Sequence, residues 1–458
     1  MMSVEDWHTP RIDVSVITND RPVSLHRLLT SLQSTHYFGD DVSLALNLEQ
    51  TTDRLTHRLV DDFRWNQGPL SLRHRILLGG LMPAIVESWY PTSNDTYGVL
   101  LEDDVEVSPL FYGWLKFTIL KYRYTVAGRA ASSRLFGVSL YQQKNIELRP
   151  EGRQPFDAHK LFESLSLHST TPYLSQIPCS WGAAYFPEVW REFHSYLSLR
   201  LSEIALPISE PIVPAIRSNR WPRSWKKYFI ELVYLRGYSM LYPNYPGFES
   251  LSTNHLEKGT HVKTSQVEEK KKVLFEVPLL DVDGSLVDSL PAGQLPEWDS
   301  LPVMDLWGSL ASPEELVERG WQTTRQIGSC KNLPNLDTPR LKYDARELLC
   351  RKVWDRETQG KLVRAQPLVA RDEGAELDQG RMEAAKAEQE EESRDMVQER
   401  AQRDGRGDGQ KKEEEEPLNR ERRNVRLAKE GSDEGERIAA REVEDSRGVE
   451  WRQVKAQA

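Results

Sequence analysis

Cysteine is scarce in this 458-residue sequence, and its three copies follow no spacing typical of a zinc site or a disulfide framework. Cys330 and Cys350 lie close enough along the chain for a bridge, but sequence does not establish the geometry that a bridge needs. Cys179 has no neighbouring cysteine. We therefore expect neither a cysteine-bound metal nor a fold held together by disulfides.

Long apolar runs are also missing. The longest extends from Ile76 to Val86, which is far too short to cross a bilayer. The N-terminal segment carries Glu5 and Asp6 and reaches a predicted strand by Ile12, so it lacks the hydrophobic region of a signal peptide. We expect a soluble chain with no membrane span.

The sequence has no excess of positive charge, since 60 lysines and arginines are outnumbered by 70 aspartates and glutamates and the net charge is −10. This balance argues against nonspecific affinity for nucleic acid or for anionic membranes. It does not exclude a phosphate-bearing ligand, because a bound cation can reverse the sign of a site locally.

Apolar residues are concentrated in the first part of the chain, whereas the last part is almost entirely charged or small. This distribution predicts a folded domain over 10–265, with halves 10–125 and 126–265. A proline-interrupted appendage over 266–362 follows, and then a charged tail over 363–458. We expect the tail to be disordered and available to bind other proteins, because too few apolar residues remain to offset chain entropy.

Strands and helices alternate along the predicted domain. Short β-branched runs predict strands at Ile12–Thr18, Val42–Leu48, Tyr97–Leu101 and Arg134–Leu140, and a strand or loop at Ile177–Phe186. Helical spacing predicts helices after the first strand, over Leu70–Trp89 with a break at Pro83, over Leu110–Val126 and from Pro187. The alternation predicts an α/β fold with a mostly parallel, twisted sheet flanked by helices.

Three consecutive carboxylates, Glu102, Asp103 and Asp104, end the third predicted strand. Such a group repels itself and needs a cation, an arginine or N–H donors to stabilise it. Hard oxygen ligands favour Mg²⁺ or Mn²⁺. A metal held there would neutralise the pyrophosphate that leaves during sugar transfer from a nucleoside diphosphate. Taken alone, a solvated acidic turn is an equally good interpretation.

The segment Val99–Phe111 resembles the metal-binding strand of nucleotide-sugar glycosyltransferases with the GT-A fold, especially the family 2 and N-acetylglucosaminyltransferase I types. In that strand an aliphatic run ends in Glu-Asp-Asp, followed by an apolar residue, Glu, a small residue and Pro. The segments 18–29, 136–140 and 180–190 are similar to further parts of the same domain, in the same order. The resemblance covers about residues 12 to 260 and implies a GT-A fold.

The resemblance also implies roles for individual residues. Asp104 would bind the metal, and His261 would assist it from a loop rich in small residues. Trp181 and Gly182 would lie on the acceptor side. The nucleotide sugar would be held by Asn19, Arg21, Glu49, Arg73, Arg75, Glu102 and Asp103. A surface turn for Arg21 and a solvated strand end for Glu49 remain open alternatives.

One part of the sequence departs from the family pattern. Inverting members carry an acidic residue between tryptophans to deprotonate the acceptor hydroxyl. The corresponding stretch, Trp225–Phe229, has lysines instead. Glu231 and Glu210 are the remaining candidates for the base, and either would serve equally well as a surface charge on a helix.

The sequence therefore predicts a glycosyltransferase that uses Mn²⁺ or Mg²⁺ to move a sugar from a nucleotide-sugar donor, a UDP-sugar in the first instance. The acceptor would be a hydroxyl of a glycan, lipid or protein. One alternative is a catalytically silent scaffold with the same fold. Another is a nucleotidyltransferase, although the first strand is not followed by a glycine-rich phosphate loop. The resemblance implies that the protein acts in the Golgi or secretory pathway.

Overall fold

A computed structural model describes residues 4–201, 211–255, 257, 275–327 and 348. The strands of this part are β1 Arg11–Thr18, β2 Ser43–Leu48, β3 Leu70–His74, β4 Thr96–Glu102, β5 Val105–Val107, β6 Leu135–Ser139, β7 Asn145–Ile146, β8 Gln154–Pro155, β9 Tyr173–Ser175, β10 Ala183–Tyr185, β11 Ser239–Tyr242, β12 Ser252–Asn254 and β13 Val303–Met304. The α-helices are α1 Pro22–Gln33, α2 Arg54–Asp62, α3 Leu81–Val86, α4 Phe111–Ile119, α5 Val126–Ala131, α6 Ala158–Ser164, α7 Pro187–Leu201, α8 Trp225–Arg236 and α9 Pro313–Ile327. A π-helical turn, Leu120–Tyr124, continues α4.

The central sheet has nine strands in the order β13-β9-β11-β6-β10-β4-β1-β2-β3 within the described residues. Strands β1 to β4 are parallel to one another, whereas β10 runs antiparallel to both of its neighbours, β4 and β6. Helices flank this sheet, so the predicted α/β class is confirmed. The carboxyl ends of β1, β2 and β4 and the amino end of β10 meet at one edge, which we call the rim.

Burial explains why these segments form the centre of the fold. β1 and β4 are buried along nearly their whole length in the centre of the sheet. On α1 the leucines at helical spacing, Leu25, Leu28, Leu29 and Leu32, are all buried. The helix begins at Pro22, whose missing N–H would have had no partner in the first turn. The first βα unit thus fixes the loop 19–21 at the rim.

The helix predicted over Leu70–Trp89 is wrong. Leu70–His74 forms β3, which pairs in parallel with β2, and only Leu81–Val86 is helical. Gly80 adopts a positive φ of 72° at the start of that helix, which separates the two elements. Pro83 lies in the first turn of α3, where proline is tolerated, and so does not break a longer helix.

Part of the predicted appendage joins the main sheet. β13 pairs in parallel with β9. α9 packs against α8 closely enough that a Cβ at Gly320 would lie 2.4 Å from the carbonyl oxygen of Leu235. The domain boundary at 265 stays a prediction, and the tail 363–458 lies outside the described residues.

The free thiol of Cys179 is buried, and Cys330 and Cys350 lie outside the described ranges. Among the helices that the structure describes, none is both long and apolar enough to cross a membrane.

Candidate functional site

The acidic triplet lies at the rim, where β4 ends beside the loop that follows β1. Asp103 is almost fully buried, with 1% of its side chain exposed. Thr18 donates a hydrogen bond from Oγ1 to Asp103 Oδ2 at 2.8 Å, and the guanidinium of Arg21 forms a close ion pair with the other oxygen. Burying a carboxylate is costly unless it is paired in this way. Asp103 therefore depends on Arg21 and Thr18 for its charge.

Asp104 also faces other rim residues. Its Oδ2 lies 3.3 Å from Nη1 of Arg21, and its Oδ1 accepts a hydrogen bond from Nδ2 of Asn254 at 3.0 Å. Only 16% of the side chain is exposed. The backbone of His255 donates to the carbonyl of Asp104 at 2.9 Å, which ties β12 to the end of β4. Asp104 thus lies between the loop 19–21 and β12 and is still partly exposed to solvent.

The electrostatics of the triplet show a surplus of negative charge. Burial raises the pKa of Asp103 to about 6, although Arg21 and Thr18 oppose the shift. Burial, reinforced by Asp104 and Asp103, raises the pKa of Glu102 to about 8. Burial acts against the charge of Arg21, but the three carboxylates outweigh it and raise the pKa of Arg21. One arginine does not balance three carboxylates, so a further cation would be stabilised here.

The oxygen donors of this site fit a hard divalent cation such as Mg²⁺ or Mn²⁺. Within the described residues, no three His, Cys, Asp or Glu side chains converge as a metal cage. Magnesium and manganese ions bound with nucleotides need few protein ligands, because water and phosphate oxygens complete their coordination. Asp104 is the best-placed ligand, since its carboxylate is the more exposed of the two aspartates.

The two loops after β1 and β2 are linked to each other. Asn19 Oδ1 accepts a hydrogen bond from Thr51 Oγ1 at 3.0 Å. Glu49 is buried, and its carboxylate accepts hydrogen bonds from the backbone N–H groups of Gly79 at 3.3 Å and Gly80 at 3.0 Å. The alternative of a solvated strand end is therefore wrong for Glu49, which holds the loop before α3.

The predicted phosphate-facing arginines have protein partners. Arg73 donates from Nη1 to the carbonyl of Ser88 at 3.0 Å. Arg75 pairs with Glu87 at 2.7 Å and approaches Glu49 at 3.8 Å. The structure thus brings Arg75 to the β2 end of the rim, whereas none of the contacts described for either arginine reaches the acidic triplet.

Trp181 and Gly182 lie at the amino end of β10, beside the end of β4, because Ala183 pairs with Leu100. Gly182 has a φ of 96°, and a Cβ there would lie 2.9 Å from Oγ of Ser252. Only glycine fits this backbone without strain. The indole of Trp181 packs against the ring of Tyr141, with 4.8 Å between centroids. Both predicted acceptor-side residues are therefore next to the triplet.

Glu231 lies elsewhere. Its carboxylate accepts hydrogen bonds from the hydroxyl of Tyr196 at 2.9 Å and from Nε and Nη2 of Arg200 at 2.8 and 3.2 Å. None of these contacts leads to the rim, so its role as a base stays a prediction that the geometry does not support. Glu210 and His261 lie outside the described residues.

A further carboxylate near the rim was not identified from the sequence. Glu147, just after β7, forms a close ion pair with Nζ of Lys226, in the first turn of α8. The same Nζ lies 3.5 Å from Oγ of Ser180. No sequence signal links these residues, because 79 positions separate Glu147 from Lys226.

Comparisons with known proteins give faint similarities. The family model described as the SPBC1E8.03c C-terminal domain matches residues 23–144, just over a quarter of the chain. No curated protein matches the sequence.

Solved structures with similarity include TarS 1–349 of S. aureus, with 14% identity and a TM-score of 0.31, over 51% of this chain and 58% of that one. The chain thus spans little more than half of TarS 1–349. Another is the mannosyltransferase PcManGT from Pyrobaculum calidifontis in complex with GDP-Man and Mn²⁺, with 14% identity and a TM-score of 0.33, over 82% of this chain and 86% of that one. These scores are low. The functional interpretation therefore depends on the rim itself.

Proposed function

We propose that this chain is a glycosyltransferase that moves a sugar from a nucleotide-sugar donor to an acceptor hydroxyl, with Mn²⁺ or Mg²⁺ bound at Asp104. The observation that carries the proposal is the convergence of Asp103, Asp104 and Arg21 at the carboxyl edge of a mostly parallel sheet. Ligands of open α/β sheets bind at this edge.

Within this proposal each rim residue has a defined task. Asp104 would hold the metal, which would neutralise the charge that develops on the departing diphosphate. Asp103 would orient Arg21, and the two together would fix the loop 19–21 against which the nucleotide lies. Asn19 and Glu49 would shape the donor side of the cleft through the loops that they hold in place.

We propose that the donor is a UDP-sugar. Binding of UDP should therefore be compared with binding of GDP. The structures with low similarity were solved with UDP in one case and with GDP-Man and Mn²⁺ in another. Because their similarity is too low to choose between the nucleotides, both belong in the first binding experiment.

Calorimetric titration of the full chain with UDP or GDP, each with and without Mn²⁺, tests the proposal. We expect binding that requires Mn²⁺ and that Asp104→Ala abolishes. Asp62→Ala is a suitable control, because Asp62 is an exposed acid at the end of α2. If the folded wild type binds neither nucleotide, the glycosyltransferase proposal is wrong and the silent scaffold becomes the better interpretation.

A further inference from the structure

We propose that Glu147 is the carboxylate that takes the proton from the acceptor hydroxyl, and that Lys226 holds it in position. The inference rests on the proposed glycosyl transfer and adds to it a residue that lies outside the stretch where the sequence suggested a base. Four observations support it: the position of α8, the contacts of the ion pair, its burial and its charge.

The direction of α8 places Lys226 at the rim. α8 is followed by β11, which runs parallel to β6 and therefore ends at the rim. The carboxyl end of α8 must then lie at the far edge of the sheet, and its first turn must lie at the rim. Glu231, five residues further along, is about 7.5 Å deeper along the helix axis. The helix thus presents Lys226 to the site and keeps Glu231 away from it.

The contacts of Lys226 bring Glu147 next to the acidic triplet. Lys226 reaches both Glu147 and Ser180, and Ser180 precedes the residues that adjoin the end of β4. The pair therefore lies on the β10 side of the rim, near the end of β4 that carries the triplet.

The burial of the pair suits proton transfer. The side chain of Glu147 is 13% exposed and that of Lys226 is 10% exposed, so both are largely buried but still in contact with solvent. Lys226 is the closest partner described for the Glu147 carboxylate, and a carboxylate has about four lone-pair sites, so it can also accept a hydrogen bond from a hydroxyl. By contrast, the carboxylate of Glu231 is 2% exposed and is engaged by Tyr196 and Arg200.

The local charge keeps Glu147 ionised at neutral pH. Burial acts to raise its pKa, but Lys226, Arg153 and Arg217 outweigh burial and lower the pKa below the ordinary value. A general base must be deprotonated at the working pH. Trp181, fixed by its contact with Tyr141, lies beside Ser180 and provides a flat apolar surface for a sugar acceptor.

The proposed step is a single displacement. The acceptor oxygen, or water in its absence, attacks the anomeric carbon while its proton moves to a carboxylate oxygen of Glu147. The bond from that carbon to the diphosphate oxygen breaks, and its electron pair leaves with the diphosphate. The proton on Glu147 then passes to solvent. Attack from the side opposite the leaving group inverts the anomeric configuration.

Metal-dependent hydrolysis of UDP-glucose, UDP-N-acetylglucosamine and GDP-mannose by the full chain tests the inference without a known acceptor. We expect Glu147→Gln to lower kcat by about 100-fold or more, while the Kd for nucleotide with Mn²⁺ stays within about twofold. In Glu147→Ala, added azide should restore turnover as a glycosyl azide, because azide needs no deprotonation. Lys226→Met should lower kcat less than Glu147→Gln.

Glu188→Gln is the matched control, because it breaks a comparable ion pair, with Arg123, at the far end of β10. Hydrolysis by Glu147→Gln at the wild-type rate overturns the inference but leaves the proposed function intact. A loss of nucleotide binding and thermal stability in Glu147→Gln, without azide rescue in Glu147→Ala, shows a structural role and also overturns it. A product that retains the anomeric configuration of the donor also overturns the inference. A wild type that binds and hydrolyses none of these donors overturns the proposed function as well.

Discussion

Replacing Arg21 by methionine should destabilise the protein in a way that depends on pH. The change removes the cation from beside Asp103, which is almost completely buried and has a pKa of about 6 in the presence of Arg21. Without the arginine the carboxylate must either stay charged and unpaired or take up a proton. Protonation costs less free energy than keeping an unpaired buried charge. The free energy of protonating Asp103 therefore sets the upper limit of the destabilisation.

The magnitude follows from the pKa of Asp103. Each pH unit above a pKa adds about 1.4 kcal/mol to the cost of protonating the group. Two units separate pH 8 from about 6, so the penalty at pH 8 should reach about 3 kcal/mol. At pH 5 Asp103 is already mostly protonated in the wild type, so the penalty should fall below about 1 kcal/mol.

The sign is set by the direction of the shift. The folded-state pKa of Asp103 lies above the ordinary value, so the folded state holds a proton that the unfolded state releases. Stability therefore falls as the pH rises toward the folded-state pKa. Removing Arg21 raises that pKa further and extends the fall to higher pH.

Urea unfolding of Arg21→Met and the wild type at pH 5 and pH 8 measures this effect. Arg58→Met is the control, because Arg58 is an exposed residue of α2. An equal loss of stability at both pH values, or no loss at pH 8, would refute the reasoning that Arg21 exists in part to keep Asp103 charged.

Three further predictions concern the same rim. Gly182→Ala should destabilise the fold by about 1–3 kcal/mol, because of the positive φ and the nearby Ser252; thermal unfolding measures this, and an unchanged Tm would contradict it. Thr18→Val should lower the free energy of unfolding at pH 8 by about 1–3 kcal/mol, since Asp103 loses a hydrogen-bond donor. Denaturant unfolding measures this loss, with Thr18→Ser as the control. Nucleotide-dependent Mn²⁺ affinity should rise between pH 6 and pH 8 as protons leave Asp103 and Glu102, and calorimetry showing a constant affinity would argue against metal binding there.

The sequence was sufficient for the elements whose patterns are strong and local. Short runs of β-branched and aliphatic residues predicted β1, β2 and β4, and leucines at helical spacing predicted α1, because burial in a central sheet favours such residues. The segment 70–89 was misread because Leu70 and Leu72, which alternate along β3, are followed by further leucines at other spacings. Its backbone pairing with β2 is a tertiary contact that no local pattern carries.

The site residues also divide into those that the local sequence predicts and those that depend on tertiary contacts. The triplet and Arg21 lie at adjacent strand ends and could be placed at one edge by topology alone. The partners of these residues could not, because Asn254 is 150 positions from Asp104 and Lys226 is 79 from Glu147. Glu49 directly follows β2 and lies at the rim, but its hydrogen bonds to the loop 79–80 depend on the course of β3, which was not predicted.

The reversed direction of β10 has a consequence for how this architecture can diversify. Because β10 runs against its neighbours, the segment that reaches the rim there is the one entering the strand, residues 176–182, and not one leaving it. The loops that leave β1, β2 and β4 meet this segment at the rim. Under the proposed assignment, substitutions in 176–182 would change which acceptor is chosen while nucleotide recognition stays as it is, so the two preferences are free to evolve separately.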